Sequence, residues 1–208
     1  DSEIENSSAP IMEHLVELRT RIIRSLIAFL ITMSISFYFA DDVFNFLSLP
    51  IISLLNSYGQ NTELIYTGLQ QGFMVHIKIS IFAGFLFAFP FISFQLWRFV
   101  APGMYKNEKK AFLPFLISSP LLFILGAAFA FYVVMPLAFD FLLKFQQNQG
   151  DGMAELLKIK YLGSINEYLS LTMAFIIAFG LSFQLPVLLT LLGKVGLVTS
   201  AGLASFRK

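Results

Sequence analysis

The chain has 208 residues, of which 57% are hydrophobic and 13% charged, with 14 basic and 13 acidic side chains and 25 phenylalanines. An average soluble domain is about 45–50% apolar and about 25% charged; too few polar residues are present here to cover a water-soluble body, and a polytopic membrane protein is the default. The net charge of +1 offers no basic surface for nucleic acid, and the lack of cysteine excludes disulfides, thiol nucleophiles and thiolate metal sites.

The first 20 residues are polar and acidic, with no basic segment leading into an apolar run, so no cleaved signal peptide is expected. Residues 9–21 read as an amphipathic helix. Ile11, Leu15, Leu18 and Ile22 fall on one face, and Glu13, Glu17 and Arg21 form a stripe on the other. Glu17 ahead of Arg21 is the favourable order, worth about 0.2–0.5 kcal/mol when exposed. This helix feeds a first transmembrane span, 22–39. A long external loop follows, 40–76; within it Val43–Leu55 is apolar enough for a helix at the outer interface or across the bundle, with Asp41 and Asp42 available as caps. The second span is 77–99, with Lys78 and Arg98 near its ends. A short cytoplasmic connection, 100–110, holds the breaker Ala101-Pro102-Gly103. The third span, 111–139, is long enough to require tilt or extension beyond the bilayer. A second external loop, 140–167, contains the polar run Gln146-Gln147-Asn148-Gln149-Gly150-Asp151-Gly152, expected to be the most flexible segment. The fourth span, 168–192, carries no charge. No internal repeat is visible. The expected fold is all-α: a polytopic membrane bundle of four helices.

Basic residues set the orientation. With the N-terminus in the cytoplasm, ten lie on that side (Arg19, Arg21, Arg24, Arg98, Lys106, Lys109, Lys110, Lys194, Arg207 and Lys208) and four outside (Lys78, Lys144, Lys158 and Lys160). The expectation is N-in, with the C-terminus returned to the same side.

Few residues suit chemistry. Pro50, Pro90, Pro114, Pro120, Pro136 and Pro186 each remove a helical hydrogen bond, and in lipid the released carbonyl needs another partner. They bend the bundle, and they also allow a concave face with a polar floor. Gln184, two residues before Pro186, is the most unusual intramembrane residue. It reads equally as an interhelical polar contact or as part of a substrate path, and Gln95 in the second span is placed in the same class. Ser182 and the carbonyl released by Pro186 are the nearest partners for Gln184 in sequence. Glu108 is the one acid of the short cytoplasmic loop, beside Lys106, Lys109 and Lys110 and near Trp97, Phe99 and Tyr105. It reads as a solvated acid or as a cation-docking carboxylate with aromatic neighbours. His14 and His76 fall on opposite sides of the membrane, so no metal site is expected, and no catalytic triad or phosphate loop is present. Gly126 and Gly180 carry no pattern. No cofactor and no enzymatic activity are expected.

Four segments carry a resemblance. His14-Leu15-Val16-Glu17-Leu18-Arg19-Thr20-Arg21 resembles the N-terminal signature of the TatC family, the core subunit of the twin-arginine protein translocase. Phe94-Gln95-Leu96-Trp97-Arg98-Phe99-Val100-Ala101-Pro102-Gly103-Met104-Tyr105-Lys106-Asn107-Glu108-Lys109-Lys110 is similar to its first cytoplasmic loop. Phe131–Phe139 and Ala178–Pro186 also look like that family, in the same order and spacing. The resemblance implies binding of signal peptides with consecutive arginines on folded precursors. It implies small single-span partner subunits, a homo-oligomer in the bacterial cytoplasmic (inner) membrane or an organellar one, and transport driven by the proton-motive force. It assigns Glu108, Glu17 and Phe99 to recognition of the arginines, and Arg19 and Tyr105 from the same motifs join them. It also implies a glutamate where this chain has Gln184, and six spans, of which four are present here. A small-solute secondary transporter, suited by bent helices and a midplane polar residue, and a membrane assembly protein without a ligand are the alternatives.

Overall fold

The computed structural model describes residues 2–58, 64–100, 109–151 and 163–194, with side chains over 12–58, 64–99, 116–144 and 163–190. Lipid offers no partner to backbone N–H and C=O groups, so apolar runs of this length satisfy them internally as helices. In chain order these are α1 (Ser2–Tyr38), α2 (Ala40–Ser57), α3 (Gln71–Val100), α4 (Lys109–Phe129), a π-helical turn (Ala130–Val134), α5 (Met135–Asp151), α6 (Ile165–Ser182) and α7 (Leu185–Lys194). Four stretches are long and apolar enough to cross a membrane: Met12–Tyr38, Gln71–Phe99, Leu116–Lys144 and Ile165–Thr190. Each overlaps one span expected from the sequence. The amphipathic segment 9–21 and the first span form one unbroken helix.

Helices α1 and α3 pack along their lengths because Gly84 lets the backbones meet. A Cβ at Gly84 would lie 2.7 Å from Met33 Cα, and Thr32 Oγ1 donates to the Gly84 carbonyl at 2.8 Å. Two glycines without a sequence pattern have the same use between α4 and α6. A Cβ at Gly126 would meet the Phe179 carbonyl at 2.6 Å, and one at Gly180 would meet the Phe123 ring at 2.7 Å. Small residues where helices touch are the expected solution in lipid, which gives no hydrophobic drive for association.

The apolar core gathers at the end of the bundle that carries α2. Leu47, Ile51 and Leu55 form one stripe of that helix and meet Val75, Ile79, Phe131, Met135 and Tyr168. Polar ties fix α2 in place. Tyr168 Oη donates to the Leu47 carbonyl at 2.6 Å, and Tyr58 Oη donates to Asp140 Oδ1 at 2.5 Å, which holds the phenol above its usual range. Asp41 and Asp42 sit in the first turn of α2, but no side chain caps that helix. Asp41 instead accepts from His76 Nε2 at 2.8 Å, while His76 Nδ1 faces the Gly72 carbonyl at 2.9 Å. A backbone bridge between Ile65 and Ser164 ties the two connections at this end.

Two expectations are corrected. The polar run from Gln146 to Asp151 continues α5 as helix, because no breaker precedes Gly150; Gly152 lies outside the described residues. The fourth span is not one helix: α6 ends at Ser182, Gln184 N–H turns back to the Leu181 carbonyl at 3.0 Å, and α7 starts at Leu185. The break lies at Pro186, which has no N–H for the preceding turn and stands at the second position of α7, where none is needed. The stripe of Glu17 and Arg21 faces into the bundle, whereas Leu15 and Ile22 are more than half exposed. The spacing alone leaves the facing open; here an outward apolar side chain meets lipid, and a polar one needs protein partners.

One proline of the third span, Pro136, is accommodated differently. Pro136 cannot donate to the carbonyl four residues back, and the turn before it widens so that Met135 N–H reaches the Ala130 carbonyl. A π turn is a common source of helix bending. Pro50 and Pro90 lie inside α2 and α3 without interrupting them.

Candidate functional site

At the end of the bundle opposite α2, the start of α1 meets the end of α3. Residues 14, 17 and 21 stand on one helical face by spacing, and that face is turned toward Gln95 and Phe99. Arg21 Nε donates to Glu17 Oε1 at 3.0 Å, and Nη2 donates to the same oxygen. Arg21 Nη1 donates to Gln95 Oε1 at 3.2 Å. Gln95 is buried, with 6% of its surface exposed, and the side chains of Arg21 and Glu17 are 14% and 32% exposed. His14 stacks on Phe99 with ring centroids 4.2 Å apart and planes 14° from parallel, and its Nδ1 lies 3.7 Å from Glu17 Oε2. The Glu17 to Arg21 pairing expected from the sequence is therefore a partly desolvated element of a five-residue cluster rather than a surface contact. A charge-assisted bond of this kind is stronger than a neutral one.

Of the residues assigned to recognition, Glu17 and Phe99 come together, both touching His14. Arg19 does not join them. Two positions from Glu17 is roughly 200° round a helix of 3.6 residues per turn, and Arg19 is exposed. Glu108 and Tyr105 lie outside the described residues. In sequence, Glu108 is nine positions after Phe99. Sequence reasoning missed the His14 stack on Phe99. Its signal was the shared face of positions 14, 17 and 21.

A second polar cluster crosses the bundle interior. Ser119 Oγ donates to Gln184 Oε1 at 2.6 Å, and Gln184 Nε2 donates to the Ser119 carbonyl at 2.8 Å. Since the Ser119 hydroxyl proton is committed to Gln184, Ser93 is the donor in the 2.7 Å contact between the two serine hydroxyls. Gln184 thus finds its partner on α4. Ser182, expected beside it, donates to the Ala178 carbonyl of its own helix. Ser93 and Ser119 are buried and were not singled out by sequence. Ser119 precedes Pro120 as Gln184 precedes Pro186, and polar residues beside intramembrane prolines are the signal that would have found it.

Between the two ends, α2, α3 and α4 with the π turn border a groove of about 630 Å³, walled by Phe46, Phe82, Phe87, Pro90, Ile124 and Phe131, with Asp42 at its rim. His14 and His76 stand at opposite ends of the bundle. Among the described residues no three metal-ligating side chains gather.

Comparison with known proteins bears on these clusters. A family model described as Sec-independent protein translocase protein (TatC) matches residues 13–208. The chain is 47% identical over 199 residues to the Sec-independent protein translocase protein TatC of Aquifex aeolicus (strain VF5), an alignment covering 96% of this chain and 78% of that one. It is 36% identical over 198 residues to the Escherichia coli (strain K12) protein of the same description, covering 95% and 72%. A solved structure described as the twin arginine translocase receptor TatC matches with a TM-score of 0.78 at 46% identity, over 93% of this chain and 80% of that one.

Proposed function

Because the chain belongs to the TatC family of Sec-independent protein translocase proteins, we propose that its α1 and α3 cluster recognises the arginine pair of signal peptides on folded precursors. The protein is a multi-pass membrane component of a protein translocase, a transport subunit rather than a catalytic one. Family membership sets aside the small-solute transporter and the assembly protein without a ligand.

One observation supports the site: Glu17 and Phe99, from segments 82 residues apart, meet through His14. A carboxylate beside a stacked aromatic pair suits a planar cation, which takes hydrogen bonds at its edge and ring contact at its face. Glu108, nine positions after Phe99 in sequence, supplies the second carboxylate. The basic-residue split puts this end in the cytoplasm of a bacterial cell, where precursors are made. Small single-span subunits and further copies of the chain complete the translocase, and the proton-motive force drives it. The apolar groove and the exposed outer ridge of α1 (Ile23, Ile27, Leu30, Ile31) are surfaces on which a partner helix is accommodated.

The test is photo-crosslinking. A photoreactive residue in place of Phe99 should capture the arginine region of a signal-bearing precursor in membranes, and one in place of Leu69, at the other end of the bundle, should not. Equal capture at both positions, or capture only at Leu69, would place recognition elsewhere.

A further inference from the structure

We propose that Arg21 is a specificity-determining residue of the recognition site: clamped between Glu17 and Gln95, it makes Glu17 a directional acceptor that favours arginine over lysine in the bound peptide. The inference rests on the receptor reading above and concerns how that site selects.

Two of the donors of Arg21 converge on one oxygen of Glu17, Oε1. Oε2 has no hydrogen bond among the described residues, since His14 Nδ1 stands 3.7 Å away, beyond bonding distance. The clamp is fixed from behind. Arg21 Nη1 donates to Gln95 Oε1 at 3.2 Å, and Gln95 is buried. Withdrawing Glu17 from Arg21 would leave a largely buried guanidinium with one neutral amide, an unfavourable state. Arg21 therefore stays in place when a peptide arrives.

The incoming cation thus meets a pair with no net charge and one open carboxylate oxygen. A lysine ammonium is a compact point charge whose gain comes chiefly from net negative potential, and the pair offers little. A guanidinium donates from a fixed planar edge and lays its face on an aromatic surface. Oε2 provides the acceptor. The half-exposed His14 ring, stacked on Phe99, provides the flat surface beside it. Removing the charge of Arg21 turns Glu17 into an uncompensated carboxylate with two open oxygens, which attracts either cation.

The experiment uses the full chain in detergent and two synthetic peptides, identical except for an Arg-Arg or a Lys-Lys pair. Kd is measured for wild type, Arg21→Gln, Arg21→Lys and Gln95→Leu, with thermal unfolding as the check on folding. Wild type should prefer Arg-Arg by about tenfold, the size of one charge-assisted hydrogen bond. Arg21→Gln should bring the preference within about twofold, chiefly by improving Lys-Lys binding, and Gln95→Leu should lower it in part. Arg21→Lys, which keeps the pair neutral, should retain most of it. If Arg21→Gln weakens both peptides by the same factor, Arg21 only supports the fold and the inference is overturned. Should Arg21→Gln fail to fold, an unchanged preference in Gln95→Leu overturns it as well. Wild type binding both peptides equally would refute the selectivity inference alone; wild type binding neither would refute the receptor reading and this inference with it.

Discussion

Ser119 is held twice by one amide, through its hydroxyl and its carbonyl. Gln184→Leu removes both contacts and leaves the paired Ser93 and Ser119 hydroxyls one acceptor short, so it should destabilise the bundle by about 1–3 kcal/mol, read from thermal unfolding in detergent. No loss of stability would make the contact incidental. The family acid expected at this position supplies both contacts only when protonated, because a carboxylate has no donor for the Ser119 carbonyl. The amide of this chain supplies them without a proton. Gly84 is the second informative residue. A methyl group there meets the backbone of Met33 at 2.7 and 2.8 Å, so Gly84→Ala must push α1 from α3 and should cost about 1–3 kcal/mol, as overpacking does. A variant as stable as wild type would show that α1 moves aside without penalty. Sequence marked Gln184 as unusual because polar residues are rare in apolar spans. Its partner was not legible, since Ser119 is 65 positions away and nothing local joins them.

Helix α2 behaves as a strap across one end of the bundle, fixed by its buried stripe and by the ties from Tyr168, Tyr58 and Asp41. Tyr168→Phe keeps the ring in the core and deletes the bond to the Leu47 carbonyl. It should cost about 1 kcal/mol and raise hydrogen exchange in α2 more than in α1 or α3. Uniform exchange across the three helices would mean that α2 is not a separable element. The existence of α2 was legible from the apolar run Val43–Leu55. Its role as a strap depends on long-range side-chain contacts that periodicity does not encode. The prolines show the same division. Their positions announce bends, but Pro136 is absorbed by a π turn and Pro186 by a helix break. Which response occurs depends on packing: the π turn is wedged among core residues, whereas the break at Gln184 is held by Ser119.

Across the whole molecule, buried polar residues are spread along the bundle. Ser48, Ser80 and Thr172 are buried in the half that carries α2, and Ser93, Gln95 and Ser119 toward the opposite end, beside the partly exposed Glu17 and Arg21 pair. The sequence showed which residues share a face of α1 and left open which face turns inward, because in lipid an apolar face is stable on either side. Four spans were legible from length and composition alone. Orientation rests on the basic-residue split and has a direct check, since the native chain has no cysteine. A single cysteine at Gln147 should react with an impermeant thiol reagent added outside, and one at Asn107 should not; the reverse pattern would invert the orientation. The central claim, that Glu17 and Glu108 receive the arginine pair, is tested most directly by binding an Arg-Arg signal peptide to wild type, Glu17→Gln and Glu108→Gln in detergent. Removing either carboxylate should weaken binding by about 2–5 kcal/mol, less where the site stays wet, with the loss shrinking as salt rises. Equal affinity of all three proteins would contradict the account.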